Sequence, residues 1–561
     1  MSKISDSSNS TPVVVNKSIY YFFAVLVLFT ITTVALTAAI LGVVINRLDV
    51  KNTSSTYNNE PISFVDQIKI EDLMKHLEQL QVIADRSNGT RAIATGGFND
   101  TIDYITNELE QNTNFKIQRQ YFTVRNHMVR GTPQLQTRIN GITTNHVYLA
   151  NFTHILFSAS ANFDTFVQVV TVPNLGCLDT DWTNVSVLNS VALVKRGNCT
   201  YAQKFILAEK YQVKGLLIYN DGISSDGFNL IQGIRNNLNA TIPAYFLSYN
   251  LGMQLVNGAN NVEVIMNINV SDTNGIANIC ADTATGDETK TIVIGAHSDG
   301  VPAGSGINDN GSGTVGILVL ALNLARLFQT SSSQYSTYQY RVRFCWWGAE
   351  ELGLIGARYH VEQALLPSNN AVGERLQDYL VNLNYDMLAG PNYRFGIHDS
   401  STVPLGTPDT ALNGTHRIMD LFRQWFNEQK LPWSNSSLGG GSDYVPFLAA
   451  GIAVGGVNTG AGGIKSAAER DLYSAVLGTG NGGIANAAFD PCYHQQCDRI
   501  RNINPFAYEK VVKAAAHAIE YLGRLNDLEK WLYPQRRPKN FELLNRYQSY
   551  NFYNDSDLNS S

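Results

Sequence analysis

At 561 residues the chain is too long for one ordinary domain, and two or three are expected. A hydrophobic fraction of 44% and a charged fraction of 16% exclude disorder throughout, which needs low hydrophobicity and high net charge. The net charge of -6 excludes a general nucleic-acid footprint, and six cysteines are too few for a disulfide scaffold but enough for local bridges.

In chain order, the first element is apolar. Residues 19–45 (IYYFFAVLVLFTITTVALTAAILGVVI) carry no charge over 27 positions. About 20 suffice to cross the hydrocarbon layer, and a cleaved signal has an apolar core of only about 7–15. A single-pass membrane protein is therefore expected, with a short cytosolic tail (1–18), a transmembrane signal anchor (19–46) and a polar stalk (47–62). Basic residues are nearly balanced across the span, Lys3 and Lys17 before it and Arg47 and Lys51 after it. Asn-x-Ser/Thr sequons, among them Asn88, Asn198 and Asn413, are plentiful after the span but also occur before it, at Asn9 and Asn16. The cysteine spacing suits an oxidising compartment, which places the body, as a glycoprotein, in a lumen or outside the cell.

Beyond the stalk, Ile70, Leu73, Leu77, Leu80 and Ile83 share one helical face. A second helix is expected from Asn99, as its cap, through Thr101 to Glu110. FKIQRQYFTV (115–124) alternates as a strand. From about 135 to 271, short β-rich runs separated by turns form a module of their own. Four apolar strand segments follow: TIVIGA (291–296), YRVRFCWW (340–347), LVNLNY (380–385) and IAVGGV (452–457). Helix-like stretches lie between them, which argues an α/β sheet covered on both faces, with ligands at the strands' carboxyl ends. One last helix is expected from Pro505 to Leu532.

The residues that follow those strands carry chemistry. His297 and Asp299 follow the first, then Asp309 in a Gly-rich loop. Glu350 and Glu351 follow the second, Asp386 the third, and His494 lies near the end of the α/β region. Two histidines converging with several carboxylates suit a first-row metal, zinc above others. Adjacent glutamates can divide labour, one holding the ion and the other, unligated, taking a proton from water. Taken singly, a Glu-Glu pair favours a helix's first turn and a lone His is structural; the joint occurrence carries the signal. The other histidines read as structural or surface residues, His360 included.

Five segments together resemble the zinc aminopeptidases of peptidase family M28. They are GAHSDGVPAGSGINDNGSG (295–313), WWGAEELGLIGARYH (346–360), NLNYDM (382–387), GSDYVPFLAAGIAVGGVNTGA (441–461) and PCYHQQCD (491–498). GCLDTDW and NSVALVKRGNCTYAQKFILAEKYQVKGLLIYND resemble a protease-associated (PA) domain. The resemblance implies a three-layer αβα peptidase domain with a mixed central sheet, built from 63–134 and 272–532. An inserted PA domain (135–271) interrupts it, and a polar tail (533–561) follows.

By motif position it further implies two Zn2+ bridged by Asp309, one completed by His297 and Asp386, the other by Glu351 and His494. Glu350 would be the general base. Asp299 would fix the His297 tautomer, and Tyr493 would donate a hydrogen bond to the oxyanion. The implied activity is removal of the N-terminal residue from peptides with a free amino end, through a zinc-bound hydroxide. The main alternative is a membrane-anchored dizinc carboxypeptidase of the same superfamily, whose members usually add a sizeable C-terminal helical domain; here fewer than 70 residues follow His494. A glutaminyl-cyclase-like enzyme would not need the full ligand set, and a catalytically dead receptor would lack Glu350 or a ligand. Bridges Cys492–Cys497 and Cys177–Cys199 are implied as well. Cys280 and Cys345 are expected free and buried, with a thiolate metal ligand as the alternative.

Overall fold

Alternation along the central strands sets the layers. In the strand Asp287–His297, Ile292, Ile294 and Ala296 enter one apolar core and Val293 the other. In Tyr340–Trp347, Val342, Phe344 and Trp346 join the first core, Cys345 and Trp347 the second. Both faces are apolar, so both must be covered. Helices Ile70–Arg86, Gly96–Asn112, Gly313–Thr330, Asp409–Glu428 and Pro505–Arg524 contribute to the first core, Ile355–Leu365 and Tyr444–Ala449 to the second.

These features belong to a computed structural model that describes residues 62–223, 227–231, 233, 241–258, 261–330, 335–369, 371–439, 441–535, 537 and 547. The expected tail and anchor and nearly all of the stalk lie outside the described residues. Among the described residues one helix, Ile307–Gln329, is long and apolar enough to cross a membrane. It is largely buried within the domain, as a core helix would be.

Strands Ala453–Gly455, Tyr379–Asn384, Asp287–His297 and Tyr340–Trp347 pair in parallel in that order, and Val262–Asp282 adds antiparallel. The sheet is mixed, as expected. Val262–Asp282 also pairs along its length with Lys116–Ile139, and this ribbon carries the sheet into the β-rich module. The alternation in the sequence ends at Val124, whereas the strand continues to Ile139. Register shifts around Val124, Met128 and Gln134 break the two-residue period and conceal the continuation. In the module, Val167–Thr171, Val191–Lys195, Gly215–Tyr219 and Ala244–Leu247 run parallel, with cores on both faces.

Three local expectations need correction. The second helix spans Gly96–Asn112 and is capped by Thr95, whose side chain accepts from Phe98 N; Asn99 lies inside the first turn. Two glycines disguise this start, yet Gly97 is required, because a Cβ there would lie 2.2 Å from the Thr90 carbonyl oxygen. The last helix is two, Pro505–Arg524 and Leu528–Leu532, because Asp527 caps a new one through Lys530 N. Cys280 and Cys345 are not free. They face each other on neighbouring antiparallel strands, with Cα atoms 4.2 Å apart, and form a disulfide. Bridges Cys177–Cys199 and Cys492–Cys497 form as expected.

The segment assigned to a polar tail begins with a docked residue. Tyr533 is buried and donates to the Leu380 carbonyl at 2.6 Å, and Arg537 donates to the Gln377 carbonyl at 2.9 Å.

Candidate metal centre

Strand register brings the chemistry together. His297 ends its strand opposite Trp347, so the loop carrying Glu350 and Glu351 leaves the sheet beside it. Gly295 pairs with Asn384 on the other side, which puts Asp386 just past the same edge. Asp309 sits in the segment Ile307–Ser312, between the first strand and the long apolar helix.

Asp309 stands between two clusters. Its Oδ1 is 3.4 Å from His297 Nε2, and that nitrogen is 3.3 Å from Asp386 Oδ1. Its Oδ2 is 3.1 Å from His494 Nε2, which is 3.2 Å from Glu351 Oε2. Within each cluster, His297–Asp309–Asp386 and Asp309–Glu351–His494, one ligand atom per residue lies within 4.8 Å of the others. All five residues expected as metal ligands are thus assembled, and one carboxylate is shared.

The electrostatics of this pocket favour positive charge. Burial alone would lower His494, but its hydrogen bonds to Asp309 and Glu351 outweigh burial and push it up to about 10. His297 is likewise carried well above its ordinary value against burial, chiefly by Asp386 and Glu350. Burial raises Glu350 well above the carboxylate range and Glu351 to about 7, with neighbouring carboxylates adding to it. Buried oxygens Glu351 Oε1 and Asp386 Oδ1 have no hydrogen-bond partner. Imidazole and carboxylate donors, partly orphaned and drawing protons onto both histidines, fit first-row divalent cations such as zinc.

Glu350 is not in either shared cluster. Its Oε2 is 3.9 Å from His297 Nε2, within reach of the centre but longer than any ligand contact above. Asp299 differs in detail from expectation. Its Oδ1 is 3.7 Å from His297 Nδ1, longer than a hydrogen bond, while its two oxygens accept from Glu350 N (3.1 Å) and Glu351 N (3.4 Å). Asp299 therefore fastens the glutamate loop to the histidine strand. Tyr493 stacks on His494, ring centroids 3.8 Å apart, at the half-exposed rim.

Several supporting residues escaped the sequence reading. Asp498 accepts from Asn308 N (2.8 Å) and Asp309 N (2.9 Å), which fixes the backbone at Asp309. Ser442 Oγ donates to Asp386 Oδ2 at 2.7 Å and accepts from Asn384 Nδ2 at 2.9 Å. Asp443, fully buried with neither oxygen partnered, is raised well above its ordinary value by burial and by Asp386. Arg91, also fully buried, donates to the carbonyls of Ser298, Ser305 and Gly306 and pins the loop before Asp309. Ser442, Asp443 and Asp498 lie inside quoted motifs, which was a signal of a kind; Arg91 carried none. Asn310, formally a sequon, is buried with its side chain bonded to Tyr385 O and Gly313 N. His360 is buried on the helix after the glutamates, between Trp347 and Tyr379.

Residues 278–519 match peptidase family M28, and residues 165–255 match the PA domain. The chain is 31% identical over 455 residues to the probable lipoprotein aminopeptidase LpqL of Mycobacterium tuberculosis, covering 79% of this chain and 83% of that one. It is 29% identical over 474 residues to an aminopeptidase of Pseudomonas aeruginosa, 82% of each. Among solved structures, the aminopeptidase from Aneurinibacillus sp. strain AM-1 aligns with a TM-score of 0.59 at 18% identity, covering 81% of this chain and 94% of that one. BSAP, a zinc aminopeptidase from Bacillus subtilis, aligns with a TM-score of 0.53 at 19% identity, covering 81% and 95%. At such identities the two structures establish a common fold.

Proposed function

The chain belongs to peptidase family M28, and we propose that it is a metallo-aminopeptidase that removes the N-terminal residue of peptides at a centre for two zinc ions. The observation that carries this reading is Asp309, whose two oxygens are divided between His297 and His494. His297, Asp386 and Asp309 would hold one ion, and His494, Glu351 and Asp309 the other. When bound, zinc supplies a water acidified toward neutral pH and a Lewis acid for the scissile carbonyl.

The chain's own groups do the rest. Glu350 takes the water's proton and passes it to the departing amine. Asp299 keeps Glu350 in place through the loop's N–H groups. Tyr493, at the rim beside His494, donates to the oxygen that gains charge as the carbonyl is attacked.

Which terminus enters follows from charge. Asp309, Glu350, Glu351 and Asp386 bring four carboxylates that would balance the charge of two Zn2+, so a substrate ammonium meets carboxylate oxygens there and no cationic excess. A carboxylate terminus would need a cationic clamp. The five motifs hold no Lys or Arg except Arg358, and Arg91 spends its donors on backbone carbonyls. The carboxypeptidase alternative is not favoured, and the relatives above are named as aminopeptidases. Acetylating a substrate's amino end is expected to lower kcat/KM by on the order of 10² or more, about 3 kcal/mol of transition-state binding. Amidating its carboxyl end should change little. Equal rates on free and acetylated peptides would remove the aminopeptidase assignment.

The anchor at 19–46 remains part of this reading, with the body luminal or extracellular. Deleting residues 1–57 is expected to release a soluble chain with unchanged kcat/KM, because the compact unit begins at Ile62. Sedimentation after lysis and a rate assay check both halves. A truncated chain that stays with the membrane fraction would locate the attachment elsewhere.

A further inference from the structure

The Cys280–Cys345 disulfide has a third potential donor beside it. A ring nitrogen of His360 and the two sulfurs all lie within 4.8 Å of one another, and all three residues are buried. We propose that, once this disulfide is reduced, Cys280, Cys345 and His360 form a binding site for a soft, thiophilic d10 cation such as Zn2+, Cd2+ or Cu+. The site shares no residue with the catalytic centre.

The protonation of His360 follows from its neighbours. Gly348 N can only donate, and it donates to Asn278 Oδ1 at 3.0 Å. Asn278 Nδ2 therefore faces Gln120, whose Oε1 accepts at 3.0 Å. The same Oε1 is 3.2 Å from His360 Nδ1, so Nδ1 carries the hydrogen and Nε2 is the bare nitrogen. Nε2 is buried and has no hydrogen-bond partner. Burial, helped by Arg343 and Arg341, holds His360 neutral, with its pKa lowered to about 3. A neutral imidazole with its distal N–H fixed by an amide is the form in which histidine ligates metals.

The sulfurs are placed for the same task. Cys280 and Cys345 are directly opposed in register, so side-chain rotation can part the sulfurs to the roughly 3.8 Å that two bonds of about 2.3 Å require in a tetrahedral site. A cavity of about 250 Å³ lined by Gln118, Gln120, His360, Gln363, Glu374 and Tyr379 borders the imidazole, so a cation has only the His360 side chain to pass before it meets the sulfurs. The chemistry balances. A dithiol reductant supplies two electrons and two hydrogens and leaves as its own disulfide. Binding a divalent cation then forms two metal–sulfur bonds and one metal–nitrogen bond and releases two thiol protons.

The test uses the full chain with zinc at its catalytic centre, reduced with dithiothreitol, desalted without oxygen and titrated with Cd2+ while thiolate-to-cadmium absorption is followed. Reduced wild type should bind one more Cd2+ per chain than Cys280→Ala, and Cys177→Ala should leave that component intact. His360→Gln should weaken it by on the order of 10-fold or more. Because His360→Gln also removes a ring packed against Trp347 and Tyr379, the cadmium-edge absorption spectrum of the wild type provides a second reading, expected to show two sulfurs and an imidazole. No difference between wild type and Cys280→Ala, or a shell without imidazole, would overturn the proposal.

Discussion

Glu350→Gln is expected to lower kcat by on the order of 10²–10⁴ while the chain keeps both zinc ions. Gln preserves the shape of the side chain and its place after Ala349 but cannot accept the water's proton. The contacts that define the two clusters sharing Asp309 come from His297, Asp309, Asp386, Glu351 and His494, although Glu350 also comes within 4.8 Å of His297 and Glu351. Glu350 Oε2 stands farther off, at 3.9 Å from His297. The backbone N–H that Asp299 holds is untouched by the substitution. A steady-state assay paired with metal analysis separates the two roles. Loss of zinc together with activity would make Glu350 a ligand and leave the base unidentified.

Asp309→Ala should do the reverse and empty the centre. One carboxylate serves both clusters, so its removal withdraws a ligand and a negative charge from each. Activity should fall to background and metal content after dialysis to near zero. The fold should survive, because Asp498 still binds the backbone N–H groups of residues 308 and 309, and the Asn310 side chain still bonds Tyr385 O and Gly313 N. Circular dichroism of the variant checks this. A variant that retains one tightly held zinc and measurable turnover would mean that the clusters are independent, and Asp309 would lose its bridging role.

What was legible in the sequence follows from where the signal sits. Three of the five candidate metal ligands lie at or just past the ends of apolar strands, and a parallel sheet gathers such positions at one edge, so strand order alone brought His297, Glu351 and Asp386 together. The layers were legible too, because the central strands are apolar on both sides. Elements that depend on tertiary partners were not. The strand Lys116–Ile139 hides behind its register shifts, and the cap at Thr95 behind the glycines that follow it. The Cys280–Cys345 bridge required knowing that two segments 65 residues apart pair in register. Arg91 is the extreme case: its importance lies wholly in three carbonyls more than 200 positions away. Asp299 stood in the right motif, yet the fold gives it the glutamate loop to hold as well as the histidine to face.

Removal of residues from the amino end is read out when the zinc-loaded enzyme is incubated with an unblocked peptide about ten residues long and the products are followed by mass spectrometry over time. A ladder that loses residues from the amino terminus one at a time is expected, with the carboxyl end intact and the ladder absent in Glu350→Gln. Shortening from the carboxyl end, or internal fragments that appear first, would contradict it.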